Sequence, residues 1–453
     1  MRTSIRLLVA AGLLAALWMP APAGAQGAPR LTVPYTEFTL ANGLHVILHR
    51  DPSVPIVTVN VWYHVGSGSE KPGRTGFAHL FEHLMFEGSK HVPEGAFDTL
   101  LEGAGANNNG STTVDRTNYY IDGPSNALEL MLFLESDRMA YLLDTMSPER
   151  VNGQRDVVKN ERRQSIENRP YGIPELELDS LLFPKGHPYS WSTIGSMEDL
   201  SAASHEDVQE FFRLYYAPNN ASLVIGGDID IEKTKALVEK WFGEVPRGRP
   251  VPPVAPPAAM LTSVTKKTMT DKVQLPRLYL AWLTPATYKP GDAALDVVAS
   301  VLAGGKNSRL YKRLVYDLQI AQEVYAYQQS QALGSAFMLV ATARPGKSLD
   351  EIQKVIDEEI ERLAATPAEP REIERVRNQI EATFLRRAER VGGMYGKADQ
   401  LNAYYTLTGT PDFFEEDLAR YRALDATDLS SAVRTFLPRD RRVELIVMPE
   451  EKK

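Results

Sequence analysis

A chain of 453 residues with 43% apolar side chains is too long for one compact core and too apolar for a disordered protein, so two or more folded domains are expected. Its formal charge of −8, with no long basic run, argues against nucleic acid as a partner. Without any cysteine it can form neither a disulfide nor a thiolate-ligated metal site.

At the start, Arg2 and Arg6 precede an apolar run from Leu7 to Trp18 that is too short to span a bilayer comfortably, and Ala23-Gly24-Ala25 follows as a small-residue cleavage site. Residues 1–25 therefore read as a secretory signal peptide, and the mature chain as periplasmic or secreted. Cleavage after Ala25 removes both arginines and no acid, which moves the formal charge from −8 to about −10. No later apolar run reaches spanning length, so no membrane span is expected in the mature chain.

A turn at Asn42-Gly43 marks a hairpin. The run that follows it alternates His45 and His49 with apolar residues and reads as the wet face of a strand. A second strand is expected over 55–65, and beyond it lies the stretch with the densest chemistry. In residues 76–86, Phe77, Leu80, Phe81 and Leu84 recur at helical spacing and mark a packed face. His79, Glu82 and His83 converge on another side of the same two turns. Burying those polar groups without partners would cost several kcal/mol, whereas a divalent metal held by the imidazoles, with the carboxylate beside its water, gives them a use. The order His-x-x-Glu-His is the inverse of the commoner zinc-peptidase motif.

By composition alone, a polar loop is one of the readings open to residues 105–112. A metal of this kind needs a third protein ligand. Ser147-Pro148 reads as the N-cap and first turn of a helix that offers Glu149, Asp156, Glu161 and Glu167, and spacing does not choose among them.

A closing strand over 222–227 ends the first half, and the proline-rich stretch that follows reads as a semi-rigid linker. The chain then repeats itself. The strand from Pro55 and its Lys71-Pro72-Gly73 are echoed from Pro276 and by Lys289-Pro290-Gly291, and Ala217-Pro218 is echoed by Leu437-Pro438, all at offsets of about 220 residues. Counting from each Lys-Pro-Gly sets His79–His83 opposite Val297–Val301, so the second copy of the helix is apolar and metal-free. The fold expected is α+β: two duplicated α/β half-shells, at 26–246 and 263–453, joined by a linker at 247–262. No glycine-rich phosphate loop interrupts them.

Taken together, the His-x-x-Glu-His motif, the duplicated halves and the proline-rich linker resemble the pitrilysin/insulinase family of inverzincin metallopeptidases, in its short bacterial and mitochondrial-processing-peptidase-like branch. The likeness covers essentially the whole mature chain. It implies one zinc per chain on His79, His83 and Glu161, with Glu82 as the catalytic base of an endopeptidase acting on unfolded peptides. It also implies that Asn109, Gly110, Ser111 and Thr112 form an edge strand to which an extended substrate adds.

Two departures stand out. Gln154 occupies a position where the family often carries a supporting acid. In the second half, Val315 and Gln322 stand where active relatives carry the Arg and Tyr of a Leu-Arg…Gly-Leu-Ala-Tyr pattern. A heterodimer follows as an expectation, with a second, metal-free homologous subunit supplying that pair. The alternatives are a self-sufficient homodimeric peptidase and a non-catalytic structural or peptide-binding subunit of the same fold.

Overall fold

The computed structural model describes residues 30–450, and the expected signal peptide at 1–25 lies outside the described residues. Two sheets organise the chain. The first contains β1 (Thr36–Thr39), β2 (His45–Arg50), β3 (Ile56–Tyr63), β4 (Asn107–Thr112), β5 (Thr117–Pro124) and β6 (Ala221–Gly227), in the order β1-β2-β6-β3-β5-β4. The second contains β7 (Thr265–Asp271), β8 (Arg277–Thr284), β9 (Ala321–Gln329), β10 (Ser335–Ala343) and β11 (Val443–Pro449), in the order β7-β11-β8-β10-β9. Once β1 is set aside, the topologies are identical. A parallel pair, β2 with β6 or β7 with β11, is followed by antiparallel neighbours β3, β5, β4 or β8, β10, β9. The repeats read in the sequence fall on equivalent strands, β3 with β8 and β6 with β11. Residues 246–262, between the sheets, carry no regular structure.

Each sheet is covered on one face by helices of its own half. On β3, Val57, Val59, Val61 and Tyr63 enter that core, and on β8, Leu278, Leu280 and Trp282 do the same. The opposite faces are covered by exchange. The helix Gly172–Leu182 leaves the first half and packs on β11, β7 and β8, where Leu178 and Leu182 share an apolar cluster with Tyr279, Ala281, Val443, Leu445 and Val447. In return, the helix Lys397–Thr408 of the second half packs on β6, β3 and β2, where Ala398, Leu401 and Tyr404 meet Ile47 and Val224.

This exchange corrects one expectation. The face of β2 that reads as wet is covered: His49 is buried and shares a hydrogen bond with the Pro34 carbonyl at 2.7 Å, while the His45 ring stacks on Tyr405 at 3.8 Å. Alternation of polar and apolar residues marks two distinct faces, and here the polar face meets the exchanged helix rather than water.

The covered face also predicts a pH dependence. His64, just beyond the end of β3, lies against Ser222 and Thr406, and burial pushes its pKa down to about 4. A depressed histidine is neutral in the fold and takes up a proton more readily when unfolded. Its contribution to stability is therefore present above about pH 6.5 and is lost as pH falls toward 4, by at most about 3 kcal/mol. His64→Gln should remove this part of the slope, so the Tm difference between variant and wild type should shift in the variant's favour between pH 7 and pH 4.5. An unchanged difference would count against the burial argument.

Candidate metal centre and active site

The motif helix Phe77–Leu84 starts at Gly76, whose φ of 88° is left-handed and where an added Cβ would lie 2.7 Å from the Ile194 carbonyl oxygen. No side chain at the N-cap position itself satisfies the first amides. The buried carboxylate of Glu70 does so instead, accepting from the Gly76 amide at 3.0 Å and the Ala78 amide at 2.8 Å. Phe77, Leu80, Phe81 and Leu84 are buried, which fixes the helix's rotation and turns His79, Glu82 and His83 to the opposite side.

Glu161 comes from the helix Pro148–Arg162, capped by the Ser147 hydroxyl, which accepts from the Arg150 amide. Val151 and Val158 bury one face of that helix against the core, and Glu161 follows Val158 by one turn. Directly after it the helix widens into a π-helical turn at Arg163–Glu167. One Glu161 carboxylate oxygen lies 3.2 Å from His83 Nε2 and 3.7 Å from His79 Nε2. The other acids on this segment do not converge: Glu149 and Asp156 are exposed, and Glu167 pairs with Arg162. Gln154 donates to Glu87 at 2.6 Å.

This donor set fits a divalent ion. Two imidazole nitrogens and a carboxylate oxygen lie within 4.8 Å of one another. Burial lowers the pKa of His79, which favours the neutral ring that a metal requires. Three protein donors suit a tetrahedral ion that keeps one position open. The Glu161 side chain is 41% exposed, so the cluster opens outward.

β4 runs along the same opening as the edge strand of its sheet. Its Thr112 hydroxyl donates to Glu82 Oε2 at 2.5 Å. The Thr113 amide donates to the Arg116 carbonyl across the hairpin, and this phase turns the peptide groups of Asn108, Gly110 and Thr112 outward. Asn109 Oδ1 accepts from the Gly110 amide at 2.8 Å. Ser111 points inward, donating to Asn118 Oδ1 at 2.6 Å and accepting from Arg116. The stretch is thus an edge strand, as the resemblance implies, and not a polar loop, because β5 pairs with it along its length. Glu70, Arg116 and Asn118 carried no spacing signal that could have singled them out.

In the second half, the helix Asp292–Ala303 places Val297 and Val301 in an apolar core. Val315 is buried and Gln322 is exposed at the start of β9. Gln319, at the glycine position of the family pattern, has a left-handed φ of 51°, which agrees with that register. Arg313 is committed to Glu358 and Glu359.

Two homologous α/β halves, one bearing an inverted His-x-x-Glu-His helix with a convergent glutamate, define the class of protein. The model for insulinase (peptidase family M16) matches residues 45–179, and that for the peptidase M16 inactive domain matches residues 202–380. The chain belongs to the pitrilysin/insulinase family. It is 29% identical over 362 residues to the zinc protease PqqE of Helicobacter pylori, covering 78% of this chain and 80% of that one. It is 25% identical over 421 residues to a probable mitochondrial-processing peptidase subunit beta of Arabidopsis thaliana, covering 90% of this chain and 77% of that one. Among solved structures, a protease from Helicobacter pylori superposes with a TM-score of 0.86 at 25% identity, covering 92% of this chain and 100% of that one. The periplasmic protease PqqL from Escherichia coli superposes with a TM-score of 0.74 at 18% identity, covering 93% of this chain and 48% of that one, a likeness of fold. Among the described residues no helix is long and apolar enough to cross a membrane.

Proposed function

We propose that this chain is a zinc-dependent endopeptidase of unfolded peptides, with the metal on His79, His83 and Glu161 and with Glu82 as general base. The observation that carries this reading is the convergence of Glu161 on both imidazoles, beside a carboxylate held by Thr112. Zinc in such a site polarises a scissile carbonyl and acidifies water. Glu82, steadied through Oε2 by Thr112, takes the proton of the attacking water and passes it to the leaving nitrogen. An extended peptide lies along β4, whose outward peptide groups pair with it largely without regard to its side chains. Asn109, Gly110 and Thr112 face or flank that peptide, and Ser111 supports the strand from behind.

Gly110 allows the strand to lie against Glu82: a Cβ there would stand 3.2 Å from Glu82 Cγ and 3.3 Å from Tyr119 Cδ1. Gly110→Ala should therefore displace the base by a few tenths of an ångström and lower kcat by roughly tenfold at unchanged zinc content. Unchanged kcat would show that the contact is slack.

We read the chain as periplasmic or secreted after removal of 1–25, divided at 26–246, 247–262 and 263–453. With Val315 and Gln322 in place of the Arg and Tyr, and the cluster open to the outside, the reading is completed by a metal-free homologous subunit that closes the chamber. The test is cleavage of a quenched fluorescent, unstructured peptide by the zinc-loaded mature chain, alone and with a periplasmic extract from a strain lacking it. Activity only with extract supports the heterodimer; full activity of the chain alone overturns it.

A further inference from the structure

The second half reaches the first half's edge strand through one buried carboxylate. Asp399, on the exchanged helix Lys397–Thr408, is 4% exposed. Its Oδ1 accepts from Asn118 at 2.9 Å, from Trp62 Nε1 at 2.9 Å and from Asn60 at 3.3 Å, all on strands of the first sheet. Its Oδ2 accepts from the Tyr395 amide at 2.9 Å. Asn118 in turn accepts from Ser111 of β4 at 2.6 Å and from Arg116 Nη1 at 3.2 Å, and that same Arg116 nitrogen donates to the Ser111 carbonyl at 2.7 Å. The next residue on β4, Thr112, projects to the other face and holds Glu82.

We propose that Asp399 is a positioning residue: the metal-free half of this chain sets the edge strand β4, and with it the Thr112 contact to Glu82, through the path Asp399, Asn118 and Ser111. An antiparallel edge strand has a ladder on one side only, so side chains anchored from behind decide how firmly it is held. Asp399 orients Asn118 by accepting from its amide, which leaves the Asn118 carbonyl oxygen to accept from Ser111 and Arg116. The consequence for catalysis rests on the peptidase reading above, whereas the consequence for β4 does not.

The experiment compares Asp399→Ala with Asn402→Ala in the full mature chain. Asn402 lies one turn along the same helix and bonds Asn60 and Ser222, away from β4. Loosening of the helix in general would affect both variants alike. Hydrogen exchange of the Asn109 and Ser111 amides, which face β5, is expected to quicken by roughly tenfold or more in Asp399→Ala and to stay near wild type in Asn402→Ala. Peptide kcat/KM should fall in Asp399→Ala with zinc content unchanged. Ser111→Ala, which removes only the last link, should reproduce a smaller part of both effects, and it decides the matter if Asp399→Ala does not fold. Unaltered exchange in β4, or equal loosening by Asn402→Ala, overturns the proposal. A wild-type chain without peptidase activity overturns the functional reading instead, and the exchange data still judge the role of Asp399.

Discussion

Glu82→Gln is expected to leave a folded chain that binds zinc as the wild type does and turns over peptide roughly 10²- to 10⁴-fold more slowly. The amide keeps the shape of the carboxylate and can still accept from the Thr112 hydroxyl, which lies 2.5 Å from Glu82 Oε2. It cannot take a proton from water. Glu82 is not among the three convergent donors, so metal content should not follow activity. Equal turnover by variant and wild type would exclude catalysis at this site, and a parallel loss of zinc would make Glu82 a ligand rather than a base.

Glu161→Ala should act on the metal itself. It removes the only carboxylate among the three donors and leaves two imidazoles whose rings lie 4.9 Å apart. Since loss of an outer-sphere partner already costs about 10- to 100-fold in affinity, loss of a direct ligand should cost at least ~100-fold. Calorimetry with zinc and a chelator reads this directly. Wild-type Tm should fall when the chelator is added, because a ligand that binds only the folded state stabilises it, and the variant's Tm should respond little. A variant that still binds zinc at wild-type affinity would move the third ligand elsewhere on the chain.

Cobalt substitution would give the same experiment a spectroscopic signature, since a His₂Glu donor set also accepts cobalt or manganese. Loss of the cobalt spectrum in Glu161→Ala alongside its retention in Glu82→Gln would separate ligand from base without any activity measurement.

Much of this protein lies in local spacing. His79, Glu82 and His83 share a side of one helix because a 3.6-residue period puts them there, and the apolar Val297–Val301 stretch in the second half follows from the same period without the polar residues. The strand repeats that fall on β3 with β8 and β6 with β11 were likewise legible, since each is a local run compared with another at constant offset. What the sequence could not decide depends on elements meeting from far apart. Glu149, Asp156, Glu161 and Glu167 are equivalent by composition, and packing of Val151 and Val158 is what turns Glu161 toward the imidazoles. Residues 107–112 have the composition of a loop and are a strand because β5 pairs with them. The histidines of β2 read as suited to water, yet His45 meets Tyr405, and on β3 Asn60 and Trp62 meet Asp399 and Asn402. These partners lie far along the chain and come together because the two halves exchange helices across their sheets. Periodicity along one element fixes which side chains share a face; which face meets which is a property of tertiary packing alone.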